Sequence, residues 1–221
     1  IFIQIFLKNG MYNPNWNSIN IEKRGGVRSF TKEVERGVYK KNFYSFQFSS
    51  AKLNAWDVYK DILRLCYSQN IDLHLVIPPV HARFMEVIAH KGLWQIHDLW
   101  MHQLVAINNE MASEYYVKPF PIWAFGYNAY TTEPAPLLSD KKTEMQWYWE
   151  SSHFKKELGD LVLNHVLDYE NLEKNPNEEF GELINEENIE QYLKKLKSDR
   201  DIWRLENPEE TKEIRINLLK D

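Results

Sequence analysis

The clearest pattern of hydrophobic and polar positions is a helical segment followed directly by a strand-like segment. Between residues 51 and 69 the apolar side chains recur near helical spacing, which predicts a helix with one apolar face. Ser49 and Ser50 precede it, and either hydroxyl is a suitable helix cap. Residues 71–77 are rich in branched apolar side chains and end at Pro78-Pro79, which predicts a strand. A helix, a tight turn and an apolar strand are typical of part of an α/β unit.

A second helical region and a second strand follow along the chain. Residues 82–91 and 93–114 both show helical spacing of apolar side chains. Residues 122–125 form an apolar run that predicts a strand, which begins after the preceding proline because proline disfavours the middle of a strand. Residues 126–149 have no regular pattern, and an irregular segment of this length in a compact domain is more often functional than idle.

The patterns toward the two ends of the chain are shorter. They predict a loop rich in Asn and Gly at residues 8–30, and helices at residues 31–46, 154–167, 179–197 and 207–219. Ser151 and Ser152 stand in a position to cap the second of these helices. The last one starts with Pro208 and two glutamates, which favour a helix N-terminus through the fixed φ of proline and the helix dipole.

The composition is that of an ordinary globular chain of 221 residues, with 43% hydrophobic and 27% charged residues. It excludes collagen, a coiled-coil rod and wholesale disorder. The apolar run that opens the chain, residues 1–7, is about one third of the length that a membrane-spanning helix needs. Cys66 is the only cysteine, which excludes an intramolecular disulfide and fits a reduced compartment or a periplasmic protein with a solid core.

The negative charge is concentrated toward the C-terminus. Residues 1–167 hold 18 Lys and Arg against 16 Asp and Glu, whereas residues 168–221 hold 9 against 16. We therefore expect an α/β domain over residues 1–167 and an acidic helical extension over residues 168–221. Neither part has the clustered positive charge of a nucleic-acid-binding protein, so no nucleic-acid partner is expected. The extension is either a solvated helical face or a docking surface for a protein partner.

Ligands of open α/β sheets bind at the carboxyl ends of the strands, and three segments are expected there. They are residues 78–83, 126–134 and 147–154. In the third segment Glu150 and His153 are three residues apart, so the carboxylate can bind one ring nitrogen and leave the other to take a proton from a hydroxyl nucleophile. The alternative is that both are ordinary surface residues at the start of a helix.

Short segments in a fixed order point to a protein family. The most distinctive is Trp-Tyr-Trp-Glu-Ser-Ser-His-Phe at residues 147–154, and the others are residues 79–83, 126–128, 131–134 and 159–163. Over about residues 45–167 the chain resembles the SGNH (GDSL-type) hydrolases, in particular SGNH-like proteins found with bacterial surface-polysaccharide genes. The resemblance implies an α/β fold with a three-layer, flavodoxin-like parallel sheet and flanking helices. It also implies that His153 is a general base and Glu150 its orienting acid.

One part of the SGNH pattern has no counterpart in residues 1–48. That family carries its nucleophilic serine in a Gly-Asp-Ser-like turn after the first strand, and neither Ser18 nor Ser29 lies in such a context. We therefore expect this chain to be the C-terminal portion of a longer protein, with the nucleophile and any membrane anchor upstream. The alternative is a non-catalytic binding or assembly protein that retains an SGNH-like shell.

The resemblance implies an esterase or O-acyltransferase that acts on an acylated surface carbohydrate, in the periplasm or on the extracytoplasmic side of the inner membrane. The residues themselves are equally compatible with a cytoplasmic location. His81, Arg83, Tyr127 and Asn128 follow the predicted strands and are expected to line the substrate site. Trp149, beside the histidine, either stacks on a sugar ring or packs in the core.

The remaining residues give no sign of a metal or cofactor site. His97 and His102 are five residues apart, which places them on different sides of a helix. No Cys/His cluster has zinc spacing. The glycines at residues 25–26 lack both the P-loop lysine and the Rossmann spacing. No metal or organic cofactor is therefore expected.

Overall fold

The computed structural model describes residues 13, 15–40, 49–50, 53–168 and 180–219. The fold is 59% helical, and the sheets within the described residues have only three or two strands each. The expected three-layer, flavodoxin-like parallel sheet is therefore wrong. The physical reason is strand length, since the two apolar segments predicted as strands are extended over three residues each, at Leu75–Ile77 and Ile122–Ala124. So small a sheet cannot separate two layers of helices, and the helices pack largely on one another.

The helices of the described residues are numbered here in chain order. They are α1 (Trp16–Lys23), α2 (Val27–Val34), α3 (Ala55–Ser68), α4 (Ala82–His90), α5 (Trp94–Glu114), α6 (Lys156–Val166), α7 (Ile189–Glu206) and α8 (Pro208–Leu219). A π-helical turn, Glu35–Tyr39, continues α2. The helices predicted from apolar spacing in the middle of the chain correspond to α3, α4 and α5. In the part of the chain that the structure describes, no helix combines the length and hydropathy that crossing a bilayer requires.

The strands of the described residues form three small sheets. They are β1 (Ser49–Ser50), β2 (Leu53–Asn54), β3 (Leu75–Ile77), β4 (Ile122–Ala124), β5 (Tyr148–Glu150), β6 (His153–Phe154) and β7 (Glu182–Ile184). In the three-stranded sheet, β3 and β4 are parallel, with Leu75 opposite Ile122. β4 is also antiparallel to β7, with Ile122 opposite Ile184. The central sheet is therefore mixed, and its third strand comes from the acidic C-terminal part of the chain.

The segment rich in Asn and Gly, predicted as a loop, is largely helical where it is described. Gly25 and Gly26 join α1 to α2 with φ values of 93° and 90°, a region that favours glycine. Ile21 and Val27 on either side of this turn are buried in the core. Burial of these side chains outweighs the turn-forming composition around them. Part of this prediction and part of the next helix lie outside the described residues, at residues 8–12, 14 and 41–46.

Two helix starts test the predicted caps. Asn54 caps α3, because its side chain accepts a hydrogen bond of 3.0 Å from the backbone N–H of Trp56. Ser49 and Ser50 form β1 instead, so their predicted role as caps is wrong. The start of α8 is confirmed, with Pro208 in the first position and an acidic first turn.

The described C-terminal residues 180–219 share a hydrophobic core with the middle of the chain. Ile184 of β7 and Tyr192 of α7 belong to the same buried cluster as Ile122 of β4. Arg204 of α7 donates two hydrogen bonds, of 2.9 and 3.1 Å, to the carboxylate of Glu86 in α4. The acidic segment is thus bound to the rest of the fold by apolar burial and by an ion pair between a partly exposed arginine and a buried glutamate.

Candidate active site

Glu150 and His153 face each other across a tight hairpin. β5 ends at Glu150, β6 begins at His153, and the two residues are cross-strand partners. Ser151 and Ser152 form the turn between them. The prediction that one of them caps the following helix is therefore wrong. That helix, α6, begins only at Lys156. The spacing of three residues therefore brings the two side chains together through a hairpin and not through a helical turn.

The carboxylate and the imidazole are in direct hydrogen-bond contact, between Glu150 Oε1 and His153 Nδ1. Ser152 Oγ lies 2.9 Å from the same carboxylate oxygen and 3.1 Å from Nδ1. The backbone N–H of Ser152 donates to Glu150 Oε2 at 3.1 Å. Because an ionised carboxylate can only accept, Nδ1 carries the proton in this contact. The neutral ring then has its lone pair on Nε2.

The two members of this pair, called the dyad below, differ greatly in exposure. The side chain of Glu150 is 2% exposed, whereas that of His153 is 78% exposed. The hydrogen bonds of the ring within the described residues all involve Nδ1, so Nε2 is open to solvent. A buried acid thus orients an imidazole whose other nitrogen is accessible, which is the geometry that a general base requires.

Trp149 lies next to the dyad on β5 and is half-buried. The ammonium of Lys155 lies 4.4 Å from the centroid of its ring, a cation–π contact. That ammonium is itself held at 2.7 Å by both Glu144 Oε2 and the carbonyl of Met145. These contacts restrain the indole of Trp149.

His81 lies behind the hairpin and is 2% exposed. Its Nδ1 accepts from the backbone N–H of Arg83 at 3.2 Å, and its Nε2 is 2.6 Å from the carbonyl of Glu133. Its backbone N–H donates to the carbonyl of Ser151 at 3.1 Å. Burial, together with the charge of Arg83, lowers the pKa of His81 to about 4, so the ring is neutral near pH 7. The structure therefore places His81 as a support of the hairpin, with both ring nitrogens occupied.

His81 should make the stability of the fold depend on pH. Its pKa in the folded protein is below the value of 6.5 expected without burial, so the unfolded chain takes up the proton first as the pH falls. Its stabilising contribution is complete above about pH 6.5 and is lost as the pH falls toward 4. From pH 7 to 4.5, the wild type should lose about 2 kcal/mol more unfolding free energy than His81→Asn, which retains a capping side chain. Urea unfolding at the two pH values measures this difference. Equal losses in both proteins would show that the folded protein does not hold His81 in its neutral form.

Arg83 lies in α4, is 1% exposed and belongs to a buried ion-pair network. Its Nε and Nη2 donate to the two carboxylate oxygens of Glu35, both at 3.0 Å. Its Nη1 contacts Glu210 and lies 3.2 Å from Glu213, and both of these glutamates are in α8. The side chain of Asn217 donates to Glu35 at 2.7 Å. The guanidinium therefore joins the π-helical turn, α4 and α8 inside the protein.

Tyr127 and Asn128 lie in the loop after β4. The side-chain oxygen of Asn128 accepts from the backbone N–H groups of Tyr130 and Thr131, at 2.9 and 3.0 Å. Tyr127 lines a small pocket between β4, β7 and α7, and its hydroxyl is buried without a hydrogen-bond partner among the described residues. Burial raises the pKa of that hydroxyl. Glu150 and His153 are not among the residues that line this pocket.

The structure therefore brings together the dyad and Trp149 on one hairpin, with His81 behind it. Sequence reasoning missed two partners of the dyad. Ser152 could have been inferred, because it lies between the two members of the dyad. Tyr39, whose hydroxyl donates to Glu150 Oε2 at 3.0 Å, is 111 residues away in sequence, and no motif or spacing indicates it.

No three His, Cys, Asp or Glu side chains in the described ranges are arranged so that they could hold a metal ion. His97 and His102 diverge as their spacing predicts. The first lies 3.6 Å from Asp98, and the second lies 3.4 Å from Glu190.

Comparisons with known proteins identify no relative of this chain. No protein-family model, no curated protein and no solved structure matches the chain. The resemblance to SGNH hydrolases therefore rests on short motifs alone, and a proposal about function has to rest on the geometry of the dyad.

Proposed function

We propose that the protein is an esterase or O-acyltransferase acting on an acylated surface carbohydrate, with the dyad as its general base. One observation carries the proposal, an exposed imidazole whose Nδ1 is bound to a buried carboxylate. This contact fixes the tautomer, leaves Nε2 as the base and places a negative charge beside the imidazolium that forms during the reaction. A histidine beside an exposed acid has a weaker and less defined partner.

The first half of the reaction forms an acyl-serine. A serine hydroxyl from outside the described residues attacks the ester carbonyl, while Nε2 of His153 takes its proton. The Glu150 carboxylate stabilises the imidazolium through the hydrogen bond to Nδ1. The imidazolium then gives the proton to the departing carbohydrate oxygen, and the acyl group stays on the serine.

The second half returns the serine to its starting state. Water, in an esterase, or a sugar hydroxyl, in an acyltransferase, gives a proton to Nε2 and attacks the acyl carbonyl. The serine oxygen leaves and takes the proton back from the imidazolium. His153 is neutral at the beginning and at the end of the cycle.

Two tryptophans on the segment that carries the dyad support a carbohydrate substrate. Trp147 and Trp149 are both half-buried on the segment that carries Glu150. The contact with Lys155 restrains Trp149, and a restrained indole is a suitable stacking surface for a sugar ring. A surface carbohydrate as substrate also means that the protein works in the periplasm or on the extracytoplasmic side of the inner membrane.

A second candidate is a non-catalytic protein that binds such a carbohydrate or assembles with a protein partner. The observation that favours it is that His153 Nε2 has no hydroxyl partner within the described residues. In that case the outer faces of α7 and α8, which belong to the acidic C-terminal segment, would be the partner surface.

An acyl-transfer assay separates the two candidates. The protein is isolated from its source cell at its natural length and incubated with an O-acetylated oligosaccharide, with and without an unacetylated acceptor. We expect release of acetate or the appearance of acetylated acceptor, and neither with heat-inactivated protein. Saturable binding of the oligosaccharide without either product would favour the non-catalytic candidate.

A further inference from the structure

A buried tyrosine holds the carboxylate of the dyad through the oxygen that the histidine does not use. Tyr39 is 4% exposed, and its hydroxyl donates to Glu150 Oε2 at 3.0 Å, whereas His153 binds Oε1. The backbone N–H of Ser152 also donates to Oε2, at 3.1 Å. Two donors on Oε2 restrain rotation of the carboxylate, and this restraint keeps Oε1 directed at Nδ1.

Tyr39 is itself held by the core behind the hairpin. It is the last residue of the π-helical turn, and its ring packs edge-on against Phe84 of α4, with centroids 5.1 Å apart. Glu35, the first residue of the same turn, makes the paired hydrogen bonds with Arg83 of α4. The turn is therefore fixed to α4 at both of its ends, and π-helical turns of this kind are frequent at functional sites.

The hydroxyl of Tyr39 remains a donor across the pH range in which a histidine titrates. Burial, and then the neighbouring charge of Glu150, raise the pKa of Tyr39 far above its ordinary value. The phenol therefore stays protonated and does not compete with the imidazole as a base.

We propose that Tyr39 is a positioning residue of the dyad, which orients the Glu150 carboxylate so that His153 keeps its proton on Nδ1 and its lone pair on Nε2. Tyr39 acts through Glu150 and does not touch the substrate. Its effect on the tautomer follows from these hydrogen bonds alone, whereas its effect on turnover rests on the proposed function.

Nitrogen-15 NMR of the ring nitrogens of His153, at a pH where the imidazole is neutral, tests this role. The wild type should show the Nδ1–H tautomer. In Tyr39→Phe a substantial fraction should change to the Nε2–H tautomer, because the carboxylate loses a donor. In the acyl-transfer assay, kcat should fall about 10- to 100-fold with KM unchanged, the scale seen when a partner that orients a functional side chain is lost.

Tyr148→Phe is the matched control. Its hydroxyl is buried on β5, the strand of Glu150, and has no hydrogen-bond partner among the described residues, so its loss should change neither tautomer nor kcat. Phenylalanine keeps the ring of Tyr39 that packs on Phe84, so the fold should be retained, and backbone amide spectra check this.

The possible results separate the two proposals. An unchanged tautomer in Tyr39→Phe overturns the positioning role, and so does an equal change in Tyr148→Phe. A changed tautomer in Tyr39→Phe alone supports the positioning role. If the same protein has no acyl-transfer activity, the positioning role stands and the proposed function fails.

Discussion

Replacing His153 with alanine should lower the turnover of an acetyl ester by at least about 10³-fold, the scale seen when the base of a catalytic triad is lost. The side chain provides the only base that the buried Glu150 orients within the described residues, and its Nε2 is open to solvent. Glu150→Gln should also lower kcat strongly, because an amide cannot stabilise the imidazolium in the same way. Initial rates with a chromogenic acetyl ester measure both effects.

His102→Ala is the matched control for His153→Ala. His102 is also a partly exposed histidine near an acid, with Glu190 3.4 Å away, but the side chain of that glutamate is 72% exposed. This variant should retain wild-type rates. A rate within a few-fold of wild type for His153→Ala would remove His153 from the mechanism.

Replacing Arg83 with methionine should lower the free energy of unfolding by about 3–5 kcal/mol, since one partner of a buried ion pair is left without the other. Glu35 is fully buried and would retain only the hydrogen bond from Asn217 among those described. The other carboxylates of the network keep the cations Arg28 and Lys32. The cost therefore falls mainly on Glu35. Urea unfolding measures it.

An exposed ion pair is the control for the Arg83 variant. Arg24 pairs with Glu33, and their side chains are 41% and 57% exposed, so Arg24→Ala should cost no more than about 1 kcal/mol. In the Arg83→Met background, Glu35→Leu should recover part of the lost stability, because it removes the buried unpaired charge. A loss below 1 kcal/mol for Arg83→Met would show that the buried pair of Arg83 and Glu35 does not stabilise the fold.

The helices in the middle of the chain could be predicted because their apolar faces are local patterns. α5 is an example, since it buries Trp94, Met101 and Val105 at helical spacing, whereas α4 is buried on nearly all sides. The central sheet could not be predicted in the same way, because pairing of β4 with β7 joins segments far apart in sequence. The apolar run before Pro78 indicated a strand, but nothing local shows that pairing extends over only three of its residues.

The candidate site, like the fold, could be predicted only where its contacts join residues that are close in sequence. Glu150 and His153 are close in sequence, so their contact follows from spacing even though a hairpin and not a helix start produces it. Arg83 was expected beside the substrate because it follows a strand, but the carboxylates that surround it come from α8 and the π-helical turn. The contact of Tyr39 with Glu150 likewise depends on tertiary packing, which no short segment encodes.

Fluorophosphonate labelling tests most directly whether the dyad serves a serine nucleophile, because the probe reacts with activated serines and needs no knowledge of the substrate. The protein should be taken from its source cell at its natural length, as wild type and as His153→Ala, with the labelled residue mapped by mass spectrometry. We expect one covalent adduct on a serine in the wild type and labelling at least about 10³-fold slower in the variant. A wild-type protein that takes up no label, or a variant that is labelled at the wild-type rate, would contradict the assignment of His153 as the general base.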